Sequence, residues 1–303
     1  MTGSTASPSG LSGPPGLSER WFRTTPDSSV LDRPRLLARS LIDLADLDDR
    51  IAFYERLLGV RADLRMPIPD FGGLELAAVG TVLLIASERP FTPVQRRTAY
   101  SLIVPSLAGQ LDLLGRTGTT VLEPREAIVP GARARVRYPD GSLAELVEHR
   151  PRPGERPAPR QVGPGDGGVR LLVRRAVPAA SLGGAVRFYE TALETASATA
   201  PETLSAAPGT AAATGAVPPA PGRAGGTGFA IVGNLLLVGS DEAAHEDASP
   251  VPFALLAPSV EAAAARAGAA IRPGSGVDGR PVVPLPGGES AEIWAGPPAA
   301  YRA

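Results

Sequence analysis

One helical segment is written twice in this chain. "DLDDRIAFYERLLGV" (residues 46–60) returns as "SLGGAVRFYETALET" (residues 181–195), so Phe53-Tyr54 recurs as Phe188-Tyr189 at an offset of 135 residues. In the first copy Ile51, Tyr54 and Leu58 fall on one stripe with Phe53 and Leu57 beside it. That is the spacing of a helix laid on a sheet. Asp46 stands where it can cap the first amides, and Gly59 stands where a helix usually ends. A helix repeated at this interval implies a repeated domain, and 303 residues are enough for two domains of ordinary size, each with its own core.

The segments around the helices alternate in a regular order. "LLARSLIDL" reads as a strand before the first helix. "ADLRMPIP", "GLELAAVG" and "TVLLIAS" read as three strands after it, the last two a hairpin about Gly80-Thr81. The scheme restarts with "TAYSLIVPS", the helix "LAGQLDLLGRTG", and the strands "TTVLEPREAI", "ARARVRYP" and "SLAELVEH". Two β-α-β-β-β units thus fill residues 35–150. A second set fills 169–297: "VRLLVRRAV", its helix, the hairpin "GTGFAIVGN"/"LLLVGS", "VPFALLAPS", the helix "VEAAAARAGA", "RPVVPLP" and "ESAEIWA". Its second strand is replaced by an Ala/Pro-rich insert, 196–226, predicted to be a loose excursion or a degenerate strand. Residues 1–34 read as a disordered tail, 151–168 as a Pro/Gly-rich linker and 298–303 as a short tail. Trp21 and Phe22 are the only aromatic residues of the first tail. The linker holds a formal G-x-G-x-x-G at Gly163, Gly165 and Gly168. It follows no strand and opens no helix, so it is not a dinucleotide fingerprint.

Composition removes several classes of function. All 30 basic residues are Arg, which excludes a Schiff-base lysine and a P-loop lysine. There is no Cys, hence no thiolate nucleophile, disulfide framework or Cys-based zinc site. A formal charge of −1 provides no field to recruit nucleic acid or an acidic membrane. No apolar run approaches the roughly 20 residues of a membrane span, and the N-terminus does not resemble a secretory signal. The expectation is a soluble, cytoplasmic protein without nucleic-acid or membrane partners.

The layout, with "DLDDRIAFYERLLG" after the first strand and "YPDGSLAELVEH" at the end, resembles the vicinal oxygen chelate superfamily. Glyoxalase I, bleomycin-resistance proteins, fosfomycin-resistance enzymes and extradiol dioxygenases belong to that group. The resemblance covers nearly all of residues 35–150. In the second half it rests on Phe188-Tyr189-Glu190, the strand order and "GGESAEIW". It implies an α+β fold of tandem domains. In each, two paired βαβββ modules would form a curved, open, barrel-like sheet whose concave side holds a ligand and, in the enzymes, a divalent metal. Modules of such proteins pair within or between chains, so intramolecular pairing in a monomer or homodimer is expected.

Carried over position by position, the resemblance places the metal-ligand positions on Arg39, Leu84, Ala99 and Glu145. In the second half they fall on Arg174, Leu237, Pro252 and Glu292. Only the glutamates are donors, and a slip to Ser40 or Tyr100 restores no imidazole. His149 lies four residues past Glu145, about 13 Å away along a strand, and His245 lies in a polar loop. No metal and no other cofactor is expected. Instead Arg39 with Glu145, and Arg174 with Glu292, are predicted to pair across each floor, the guanidinium ready for an anionic or carbonyl group of a ligand. The alternative at these positions is an Arg in solvent at a strand end facing a Glu on an open rim. Asp43 shares the face of Arg39. Phe71, Phe91 and Tyr100 are candidates to line the first pocket, and Trp294, on the face of Glu292, is a candidate plug for the second. Arg133, Arg135 and Arg137 in "RARVR" read as a solvated sheet face.

The reading these residues support is a metal-free binder of a small organic molecule in the first cup, with antibiotic sequestration as one version. A metal-dependent glyoxalase-like lyase or dioxygenase is the alternative. A third possibility is an interaction module that uses the tail and insert and takes no small ligand.

Overall fold

A computed structural model describes residues 27–68, 73–128, 131–151, 169–198, 223–224, 227–240, 252–273 and 280–295. Residues 1–26, the linker from 152, the body of the insert, Phe71, His245 and the last tail lie outside the described residues.

The first module runs β1 (Arg35–Asp43), α1 (Leu47–Leu58), β2 (Ala62–Ile68), β3 (Leu74–Val79) and β4 (Val82–Ser87). After a short helix, α2 (Pro93–Arg97), the second runs β5 (Thr98–Ile103), α3 (Leu107–Gly115), β6 (Thr120–Ile128), β7 (Gly131–Arg137) and β8 (Leu143–Glu148). In each module the last strand lies parallel to the first, β4 on β1 and β8 on β5, because the helix carries the chain back over the sheet. The modules join along β1 and β5, antiparallel, in the order β2-β3-β4-β1-β5-β8-β7-β6.

The second half repeats the plan with losses. It consists of β9 (Arg170–Val177), α4 (Leu182–Ala192), β10 (Ser197–Ala198), β11 (Arg223–Ala224), β12 (Thr227–Val232), β13 (Leu235–Gly239), β14 (Phe253–Ala257), α5 (Val260–Ala267), β15 (Val282–Pro284) and β16 (Ser290–Ala295). Its order, β10-β12-β13-β9-β14-β16-β15, matches the first sheet except that β10 has two residues and, among the described residues, only an isolated bridge of Arg272 to Val282 stands in the place of β6. β10 and β11, at the two ends of the insert, both pair with β12. The result is α+β, with two curved sheets built on the tandem plan of the vicinal oxygen chelate fold.

Local chemistry explains the element ends. Gly59 closes α1 at φ 68°, a left-handed conformation that glycine adopts without a Cβ penalty. A Cβ on Gly131 (φ 115°) would lie 1.9 Å from the Glu148 carbonyl oxygen, so the start of β7 requires glycine. Asp46 is the residue before α1, but its side chain caps no amide and instead faces Arg50 at 3.4 Å. Residues 27–34, read as the end of the tail, are docked: Ser28 is buried and its amide donates to the His149 carbonyl at 3.1 Å.

Strand alternation divides each sheet between two cores. On β1, Leu36, Ala38 and Ile42 face the helices, and with Tyr54, Tyr100, Leu171 and Tyr189 they build one continuous core shared by both sheets. The Phe-Tyr pairs belong to this core, as their helical spacing predicts. Leu37, Leu83, Ile85 and Ile103 face the other way, in a separate cluster on the concave side of the first sheet. Leu172, Leu236, Ala254 and Trp294 do the same in the second.

Two turns cross between the sheets at pseudo-equivalent places. Asp140, in "YPDGS", accepts from Arg175 Nε at 2.5 Å and Tyr189 OH at 2.7 Å, and from Ser142. Tyr189 OH in turn meets Tyr100 OH at 2.5 Å. Burial acts to raise the Asp140 carboxyl, but Arg175 and the hydroxyl donors outweigh it and hold it below the usual value. In the opposite clasp Glu289 accepts from Ser40 Oγ at 3.1 Å, beside Arg50 and Tyr54. Here burial dominates, and Ser40 and Arg50 only partly offset it, so the Glu289 carboxyl is raised. Ser40 and Arg175 are 135 residues apart, like the tyrosines they accompany.

Candidate functional site: two concave floors

The predicted ion pairs form in both halves. Arg39 Nη1 donates to Glu145 Oε2 at 2.8 Å, and Arg174 Nε donates to Glu292 Oε2 at 3.0 Å. Both pairs lie on the concave side because each partner belongs to the strand positions that face away from the helices. Arg39 also donates to Ser101 Oγ at 3.3 Å. Asp43, at the exposed end of β1, takes no part in this set.

The other carried-over positions are one residue off. Leu84 and Leu237 belong to the helix-side core, and the residues opposite the two arginines are Leu83 and Leu236. In a strand a one-residue slip turns a side chain to the opposite face. Ala99 packs on the helix side, where a register shift interrupts the β5–β8 pairing between Thr98 and Tyr100. Ser101 therefore occupies the floor. Tyr100 lines no pocket, since it is fully buried in the shared core and bound to Ser142 and Tyr189. Pro252 precedes β14, exposed, and gives only its carbonyl, to Arg174 N at 2.8 Å. Ala254 is the floor residue there. Phe91 packs against the concave cluster of the first sheet, as a lining residue would.

The sequence reading missed Arg133 and Arg135. They do not form a solvated face, because the register sets Arg135 opposite Glu145 and Arg133 opposite Val147, both on the concave wall. Arg133 Nη1 lies 3.2 Å and Arg135 Nη2 3.4 Å from Glu145 Oε1. Their outer partners are Glu126, which takes Arg133 at 3.0 and 2.9 Å, and Glu123, which takes Arg135. The alternation of "RARVR" against "LAELVE" across the hairpin was the available signal. Burial raises the Glu145 carboxyl, but Arg39, Arg135 and Arg133 more than reverse this and hold it below the ordinary glutamate value. Burial likewise lowers Arg39, with Glu145 opposing.

The second floor is closed. Trp294 Nε1 donates to Glu292 Oε2 at 2.9 Å, its ring packs edge-on to Phe229, and the Arg280 guanidinium covers the ring at 3.7 Å. The side chain of Glu292 is 0% exposed, against 16% for Glu145. Trp294 is thus the plug it was predicted to be.

The divalent cation used by enzymes of this fold does not fit either floor. The concave positions are Arg39, Leu83, Ser101 and Glu145 in one and Arg174, Leu236, Ala254 and Glu292 in the other. Each set provides one carboxylate, already held by a guanidinium. Among the described residues no three His, Cys, Asp or Glu side chains gather as a metal site would need. Among the same residues no helix is long and apolar enough to cross a membrane.

No family profile and no curated protein matches this chain. Among solved structures it is similar to an uncharacterized protein from Methanosarcina mazei at 33% identity, over 38% of this chain and 92% of that one (TM-score 0.35). It is also similar to the 2,3-dioxygenase LapB from Pseudomonas sp. KL28 at 16% identity, over 88% and 92% of the two chains (TM-score 0.45). A third is the Mn(II)-bound glyoxalase from Novosphingobium aromaticivorans, at 14% identity over 86% and 81% (TM-score 0.45). These superpositions are loose, and what classifies the molecule is its own strand order: β1–β5 joins two βαβββ modules, and β9–β14 repeats the joint. That order is the tandem βαβββ plan of the vicinal oxygen chelate fold, which the sequence resemblance implied.

Proposed function

We propose that this protein binds a small organic molecule in the cup of the first sheet, directly against protein groups and with no metal between. The observation that carries this is the Arg39–Glu145 pair, which stands on the floor of a cup whose carboxylate is still partly reachable. The second cup is its closed counterpart and acts as a packing partner. Sequestration of a toxic compound, in the manner of bleomycin-resistance proteins, is one form such binding takes. In this reading the halves pair within one chain, and nucleic acid and membranes are not partners.

A metal-dependent lyase or dioxygenase is the second reading. What favours it is that the fold neighbours include an Mn(II)-bound glyoxalase and a 2,3-dioxygenase, which are enzymes rather than binders. The donor set of the two floors speaks against it. Elemental analysis of the purified full chain, with a thermal-shift screen of Zn, Mn, Fe and a library of small organic molecules, separates the two. The binding reading expects less than 0.1 equivalent of metal by the order of magnitude of trace carry-over and at least one organic stabiliser. Stoichiometric metal that raises Tm establishes the enzyme reading instead.

A further inference from the structure

We infer that β6 is a docking edge for a second copy of this chain, the two joined strand to strand, antiparallel, about Pro124. The inference stands apart from what the first cup binds.

β6 ends the first sheet, so one side of its backbone is paired with β7 and the other with no described strand. Seven of its nine residues are exposed. Val121 and Leu122, at 47% and 41%, are two of the three exposed large apolar residues among the described ones. An open strand edge beside exposed apolar side chains is a template for another strand. The sheet plan does not by itself require so long an edge. The second half has only the bridge of Arg272 to Val282 in that place among the described residues, and its edge strand β15 has three residues.

The charges of β6 point to the partner. Glu123 and Glu126 hold Arg135 and Arg133, and their side chains remain 43% and 54% exposed. Arg125 is exposed and forms no ion pair among the described residues. Two copies run antiparallel about Pro124 set Glu123 of each against Arg125 of the other, and Val121 against Ala127, so the edge is complementary to itself. Moving the twofold point by one residue either way sets Glu123 or Arg125 against its own copy, which like charge opposes. A foreign strand would have to match this spacing of charges, whereas a second copy carries it already. Pro124 has no N–H, and the β6–β7 ladder shifts register between Glu123 and Glu126. Proline within an edge commonly blocks pairing. At the twofold point of an antiparallel pair, where facing residues exchange no hydrogen bond, it blocks nothing.

Sedimentation of the full chain over a concentration series is expected to show a reversible dimer. Arg125→Glu should weaken it about tenfold or more, since it sets Glu against Glu123 twice in the symmetric pair, and should leave thermal unfolding of the monomer unchanged. The chain has no cysteine, so introduced thiols report the register. Pro124→Cys should oxidise to a disulfide-linked dimer, because the two copies of residue 124 face each other within disulfide reach. Val121→Cys should not link to itself, its copies lying about 20 Å apart along the paired strands, but should link to Ala127→Cys when the two variants are mixed. A chain that stays monomeric at every concentration overturns the inference, and Pro124 with the register shift then shields the edge. An Arg125→Glu variant that dimerises as well as the parent, a Pro124→Cys dimer that does not oxidise, or Val121→Cys chains that link to themselves overturn it equally.

Discussion

The two cups share a fold and a buried Arg–Glu pair, but what surrounds the carboxylate differs. In the first, Glu145 meets three arginines and the facing residues are Leu, Ile and Met, with no aromatic ring of β8 above them. In the second, Trp294 lies on the same strand face as Glu292 and closes the floor, with Arg280 and Phe229 completing the stack. One tryptophan two residues along a strand thus seals the carboxylate of the second half, which is 0% exposed against 16% for Glu145. The comparison teaches that an ion pair kept in both copies does not by itself mark function, because the same pair meets two further arginines in one half and a tryptophan in the other.

The largest expected effect comes from breaking the sealed pair. Glu292→Leu alone should cost roughly 3–5 kcal/mol, since it strands the Arg174 guanidinium away from water. The double change Arg174→Met/Glu292→Leu should recover most of that loss. The first cup should suffer somewhat less from Glu145→Leu, about 2–4 kcal/mol, because the buried Arg39 keeps its bond to Ser101 while Arg133 and Arg135 keep outer partners. Urea denaturation of the variants measures the difference, and equal losses would remove the distinction between the cups. Next is Trp294→Ala, with an expected loss of about 3–5 kcal/mol and a second cup now open to solvent. Trp294→Phe should cost about 1–2 kcal/mol, mainly the bond to Glu292. Quenching of fluorescence from an environment-sensitive apolar dye would show whether the opened cup takes up ligands that the parent leaves to the first cup.

The two inter-sheet clasps give a smaller contrast, with opposite signs in pH. Asp140 has a depressed pKa in the fold, so its contribution is present above the unfolded value near 4 and is lost as pH falls through the lower folded value. Asp140→Asn should therefore cost about 1–3 kcal/mol at pH 7 and progressively less in acid. Glu289 is raised, so its carboxyl stabilises most when protonated, and that contribution is lost as pH rises through the folded value. Glu289→Gln should be neutral or stabilising by about 0.5–1 kcal/mol at pH 7, with the gain vanishing below pH about 4. Thermal unfolding across pH 3–8 reads both slopes, and slopes of the same sign would break the pairing. The smallest effect belongs to Glu123→Ala, about 0–1 kcal/mol at an exposed ion pair and further reduced by salt.

Much of the fold was legible because it rests on periods. Phe53-Tyr54 and Phe188-Tyr189 mark two helices on sheets, and the strand segments around them lie where alternation and turn residues place them. The two Arg–Glu floors were legible for the same reason, since counting along β1, β8, β9 and β16 keeps a constant face. Leu84, Leu237 and Tyr100 were misplaced because their strands enter from turns, or pass through the register shift near Thr98, that reset the count by one. Arg133 and Arg135 were overlooked because their burial comes from the neighbouring strand rather than from their own segment.

By itself the chain's order of residues determined the duplication and the βαβββ plan. Those are properties of local period and residue identity, and no distant contact alters them. Tertiary structure alone decided how far each carboxylate of the two floors is covered, which arginines crowd Glu145, and why the Asp140 and Glu289 carboxyls are shifted in opposite directions. Each depends on how closely segments far apart in sequence approach, and on how much water they exclude when they do.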